Sequence, residues 1–66
     1  MAQQFVRHQT IEEFEEQYGT RWRAAEFYLD RKMPDQQAVA FERVIDPAFL
    51  SAVAMTRAMH AMMSNR

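Results

Sequence analysis

The sequence predicts an all-α protein, and three observations carry that reading. Apolar residues recur at helical spacing through most of the chain. One glycine and two prolines are the only strong breakers in 66 residues. Thr10 and Asp46 stand just ahead of apolar runs, where helix N-caps belong. The expected architecture is a small three-helix unit, with one long helix over about residues 11–32 and two more over about 35–45 and 47–63. Residues 1–10 read as an amino-terminal arm, flexible or packed through Phe5 and Val6, ahead of a single helical domain over 11–66.

Thr10 and Glu13 have the spacing of a capping box, in which each side chain satisfies the other residue's backbone N–H. The acidic turn that follows, Glu12, Glu13, Glu15 and Glu16, suits the positive end of a helix dipole. At about 100° per residue, Ile11, Phe14, Tyr18, Trp22, Ala25 and Leu29 fall in one stripe about 80° wide. Gly19 and Thr20 have the chemistry of a helix stop and a new cap, yet the stripe keeps its phase through them. A turn would normally reset that phase, so one helix bent near Gly19 is the expectation. The Met33-Pro34 pair ends it, because the residue before proline avoids helical geometry.

A second helix opens at Pro34 or Asp35 with Ala38, Phe41, Val44 and Ile45 as its apolar face. Asp46-Pro47 is a strong start signal, aspartate being a preferred N-cap and proline a preferred first helical residue. In the third helix Thr56, Arg57, His60 and Ser64 form a polar strip, interrupted at its start by Phe49 and Val53. Ala48, Ala52, Met55, Met59, Met62 and Met63 lie on one flank of that strip, and Leu50, Ala54, Ala58 and Ala61 on the other. A helix apolar on most sides is normally buried on most sides.

A chain of this length buries a small share of its surface when it folds. There is no cysteine to form a disulfide, and His8 and His60 alone make a zinc site unexpected. Efficient helix packing or self-association then has to supply stability. The alternative for the methionines is plain intrachain core; against it stands the small number of helices available to cover both flanks. One flank is therefore expected to meet another chain, a second copy through Leu50, Ala54, Met55, Ala58, Met59 and Met62 or a different partner on which the helix docks.

On the long helix, Phe27 lies opposite the core stripe with Arg23 and Arg31 one turn away on either side. Aromatic and arginine residues dominate interface hot spots, so these three form a second candidate protein-binding surface. Eight Lys/Arg against nine Asp/Glu leave a net charge of −1, which disfavours a dedicated nucleic-acid module. Arg21, Arg23, Arg31 and Lys32 remain the basic segment such a role would use.

No catalytic pair, phosphate loop or metal-binding spacing is present in the sequence, and no cofactor is expected. Ser51 and Thr56 have no base at helical spacing, and His60 reads as a solvent-exposed histidine. The second and third helices superficially imitate a helix-turn-helix, but alanines and methionines stand where base-reading side chains belong. No signal peptide or membrane span is expected, which places the chain in the cytoplasm. The leading functional expectation is a non-catalytic interaction protein, a regulator, inhibitor or assembly factor that binds a protein target. A nucleic-acid-binding regulator and a structural subunit of a larger assembly are the alternatives.

Overall fold

The computed structural model describes residues 9–64. The expected amino-terminal arm, with Phe5 and Val6, lies outside the described residues. Four helices make up the fold: α1 over Ile11–Tyr18, α2 over Arg21–Leu29, α3 over Asp35–Val44 and α4 over Pro47–Ser64. No strand occurs among the described residues.

The capping box forms as its spacing suggests. Glu13 N donates to Thr10 Oγ1 at 3.2 Å, and Thr10 N donates to Glu13 Oε1 at 3.1 Å. The single long helix does not form. Gly19 takes φ 103°, Thr20 is extended, and Thr20 Oγ1 accepts from Arg23 N at 2.9 Å to start α2. The physical reason lies in what the break permits. Nine residues of continuous helix would separate Tyr18 and Phe27 by about 13 Å along the axis. In the folded chain α1 turns back on α2 and the two rings sit 4.9 Å apart. One helix becomes a pair that buries both of its inner faces.

Helix α2 also ends earlier than the proline predicts, at Leu29. Lys32 N donates to Phe27 O at 2.8 Å and Arg31 N to Tyr28 O at 3.1 Å. Arg31 takes φ 58° between them. This is a Schellman closure, with arginine at the position where glycine is usual.

Helix α3 starts at Asp35 and ends one residue before its expected limit. Ala48 N donates to Asp46 Oδ1 at 2.9 Å, so the aspartate cap of α4 forms as expected. The core comprises Phe14, Ala24, Ala25, Met33, Ala40, Phe41, Ile45 and Val53. Phe14 and Phe41 meet edge to face at 5.0 Å near its centre. Helix α1 packs on α2 and α3, and α2 packs on α4.

Helix α4 docks through a face that the sequence marks as polar. Val53 is fully buried, Phe49 and Leu50 are half-buried against the core, and Arg57 Nη2 donates to Asp30 Oδ1 at 2.5 Å. The strip is apolar where it meets the core and polar where it runs past it. Phe49 and Val53 interrupt the polar pattern because they are its docking residues.

Candidate functional site

Docking α4 through Phe49, Val53 and Arg57 leaves its opposite side uncovered. Ala48, Ala52, Ala54, Ala58 and Ala61 are exposed. So are Met55, Met59, Met62 and Met63, at 65%, 58%, 75% and 70% of their full surface. Leu50 belongs to neither group, being half-buried against the core. The only formally charged residue in the helix is Arg57, already paired with Asp30.

From Ala58 to Ser64 every residue is exposed. That stretch covers about two full turns, so no face of the helix end rests on the fold. Isolated helices shorter than about 12–15 residues are marginal in water, and most helical stability comes from packing an apolar face. The last two turns of α4 have such a face and nothing under it. Burying one exposed methionine is worth about 1.5–3 kcal/mol, so several together make a strong drive to association. Methionine also adapts its shape to irregular surfaces.

The surface expected from Arg23, Phe27 and Arg31 is not laid out as a helical strip. Phe27 is half-buried and packs on the core and on Tyr18. Arg23 is exposed in the first turn of α2, whereas Arg31 lies beyond the end of that helix. The break at Gly19 rotates α2 against α1, which turns Phe27 inwards and Trp22 outwards. Trp22 is 37% exposed and meets Phe49 edge to face at 6.0 Å. The apolar periodicity puts Trp22 in the core stripe; the Thr20 cap is the signal against that phase.

The basic segment is partly spent within the fold. Arg21 Nε donates to Glu15 Oε2 at 2.8 Å, and its guanidinium sits 6.0 Å from the Phe49 ring centre. Arg23, Arg31 and Lys32 are exposed. The acidic cluster is dispersed in role as well, since Glu13 completes the capping box and Glu15 holds Arg21. His60 is exposed, and its carbonyl oxygen accepts from Ser64 Oγ at 2.7 Å. A shallow open groove at the α1–α2 turn is lined by Tyr18, Thr20, Trp22, Arg23 and Phe27 among others.

Two phenols tie α3 to the first helix pair. Tyr18 Oη donates to Gln37 Oε1 at 2.5 Å, and Gln37 Nε2 donates onward to Gln17 Oε1 at 3.1 Å. Tyr28 Oη donates to Glu42 Oε2 at 2.5 Å. Burial pushes the Tyr18 pKa up. The hydrogen bond to Glu42 pushes Tyr28 up, with burial and the Glu42 charge adding to it and Arg31 opposing. These are structural ties at helix interfaces.

Among the described residues no group of three or more His, Cys, Asp or Glu is placed to hold a metal ion, and no helix is long and apolar enough to cross a membrane. No protein-family model, curated protein or solved structure matches this chain.

Proposed function

We propose that this chain is a small non-catalytic interaction protein that works by laying the uncovered side of α4 on another polypeptide. The observation that carries this is the complete exposure of Ala58–Ser64, which continues an apolar side bearing Met55. A solvent-facing helix surface normally carries charge. This one carries none, and contiguous exposed apolar patches mark interaction sites on soluble proteins.

A nucleic-acid role for the Arg21–Lys32 segment has less support, because Arg21 is held by Glu15 and charge is what drives such binding. A structural subunit would use the same α4 surface and would differ only in the size of the assembly.

A photo-crosslinking side chain introduced at Met59, compared with one at Glu12 on the exposed side of α1, tests the role. Polypeptide adducts at Met59 and none at Glu12 are the expected result. Equal yields at both positions, or none at Met59, would overturn it.

A further inference from the structure

The uncovered side of α4 has an internal pattern. Ala48, Ala52, Met55, Met59 and Met62 are spaced four, three, four and three residues apart, and all five are exposed. That alternation is the seam of a left-handed helix pair, in which each residue enters a hole on the facing helix. The flanking positions of the same repeat are Phe49, Ser51, Thr56, Ala58 and Met63. None is charged, so two identical seams meet without like-charge repulsion, and charge prefers neither orientation.

Size supplies the preference that charge lacks. The seam is small at its beginning, with Ala48 and Ala52, and large at its end, with Met59 and Met62. Two copies side by side in parallel would set alanine against alanine and methionine against methionine. One end would gap and the other would crowd, because helix separation follows the side chains at the contact. Antiparallel copies centred on Met55 set Ala48 level with the partner's Met62 and Ala52 within about 1.5 Å, one residue's rise, of the partner's Met59, and Met55 meets the partner's Met55 at the centre. Large then faces small on both sides of that central methionine pair, which is how interdigitating cores are filled.

The antiparallel arrangement also covers what the single chain leaves bare. The exposed last two turns of one α4 would lie along the first turns of the other, which Phe49 and Val53 anchor to the core. In the parallel arrangement one unsupported end would lie on another. We infer that a second copy of this chain covers α4, in an antiparallel pair with its two-fold axis at Met55. The inference rests on the interaction role proposed above and names its partner.

Light scattering and cysteine pairing test it, helped by the absence of native cysteine. The wild-type protein is expected at twice its chain mass of 7.8 kDa at micromolar concentration. Met55→Glu and Met55→Lys are each expected at one chain mass with unchanged far-ultraviolet dichroism per residue of the core helices, and their equimolar mixture at twice that mass. On mild oxidation, Ala52→Cys mixed with Met59→Cys is expected to give the mixed disulfide in excess over either same-residue disulfide. A predominance of same-residue disulfides would overturn the antiparallel pairing. A wild-type protein that stays at one chain mass would overturn the second copy altogether. If Met59 adducts to a different polypeptide persist in that monomer, the interaction role stands and only its partner is wrong; if they are missing as well, both fail.

Discussion

Gly19 and Arg31 carry the positive-φ backbone among the described residues, at 103° and 58°. Gly19 is in a conformation that residues with a Cβ rarely adopt, although a Cβ there would meet only the Arg23 side chain, at a comfortable 3.7 Å. Its requirement is therefore one of backbone and not of space. Gly19→Ala is expected to lose about 1–3 kcal/mol, read as a lower urea midpoint. Arg31 presents the opposite case. A left-handed residue with a side chain costs about 1–2 kcal/mol, while glycine's extra freedom in the unfolded chain returns about 0.4–1 kcal/mol of that. Arg31→Gly is expected to raise the midpoint by a net amount of roughly 0.5–1 kcal/mol; a fall would show that the arginine side chain stabilises the turn. The two positions also differ in legibility. Gly19 was visible as a possible stop, whereas nothing about an arginine announces a helix closure.

Helices start where local chemistry says they should, and stop where packing decides. Thr10 and Asp46 mark the starts of α1 and α4 in the sequence because a cap acts over two or three residues, whereas α3 opens at Asp35 behind Pro34 with no side-chain cap. The break before α2 was legible only in part: Gly19 and Thr20 had the right chemistry, but the unbroken apolar phase argued against them. Thr20→Ala removes the side-chain acceptor for Arg23 N and is expected to cost about 1 kcal/mol by thermal or urea unfolding. The ties between elements give a pH response. Tyr18 and Tyr28 have raised pKa values in the folded chain. Between the unfolded value of about 10 and the folded value, the unfolded chain has lost a proton that the folded chain keeps, so stability falls as pH rises. The urea midpoint should be insensitive to these phenols below about pH 9 and decline above about pH 10. Tyr28→Phe should make that decline shallower; an unchanged alkaline slope would show that the Glu42 hydrogen bond contributes nothing to it.

At the scale of the molecule, the fold divides into a tightly packed body and a helix end with no neighbour. Phe41 is fully buried between Phe14 and Tyr28. Phe41→Ala is expected to cost about 3–5 kcal/mol. A chain of this length holds roughly 3–10 kcal/mol in all, so that variant should lose about a third of its stability or more, read as a lower urea midpoint or as unfolding by circular dichroism. Met59→Glu, at a site the single chain does not cover, should change the unfolding free energy of the monomer by no more than about 0.5 kcal/mol. Amide hydrogens of Ala58–Ser64 should exchange quickly in dilute solution and more slowly as protein concentration rises. Exchange that ignores concentration would leave the helix end without the proposed partner.

Sequence by itself determined the helical class, the starting points of α1, α3 and α4 and the uncharged apolar flanks of α4, since each depends on residues no more than a few turns apart. Tertiary structure alone decided that α1 and α2 are separate, that Phe27 turns inwards and Trp22 outwards, and that α4 docks through Phe49 and Val53. A continuous helix and a folded-back pair share nearly the same local signals. What distinguishes them is the burial gained when Phe14 reaches Phe41 and Tyr18 reaches Phe27, and those contacts exist only after the chain has turned.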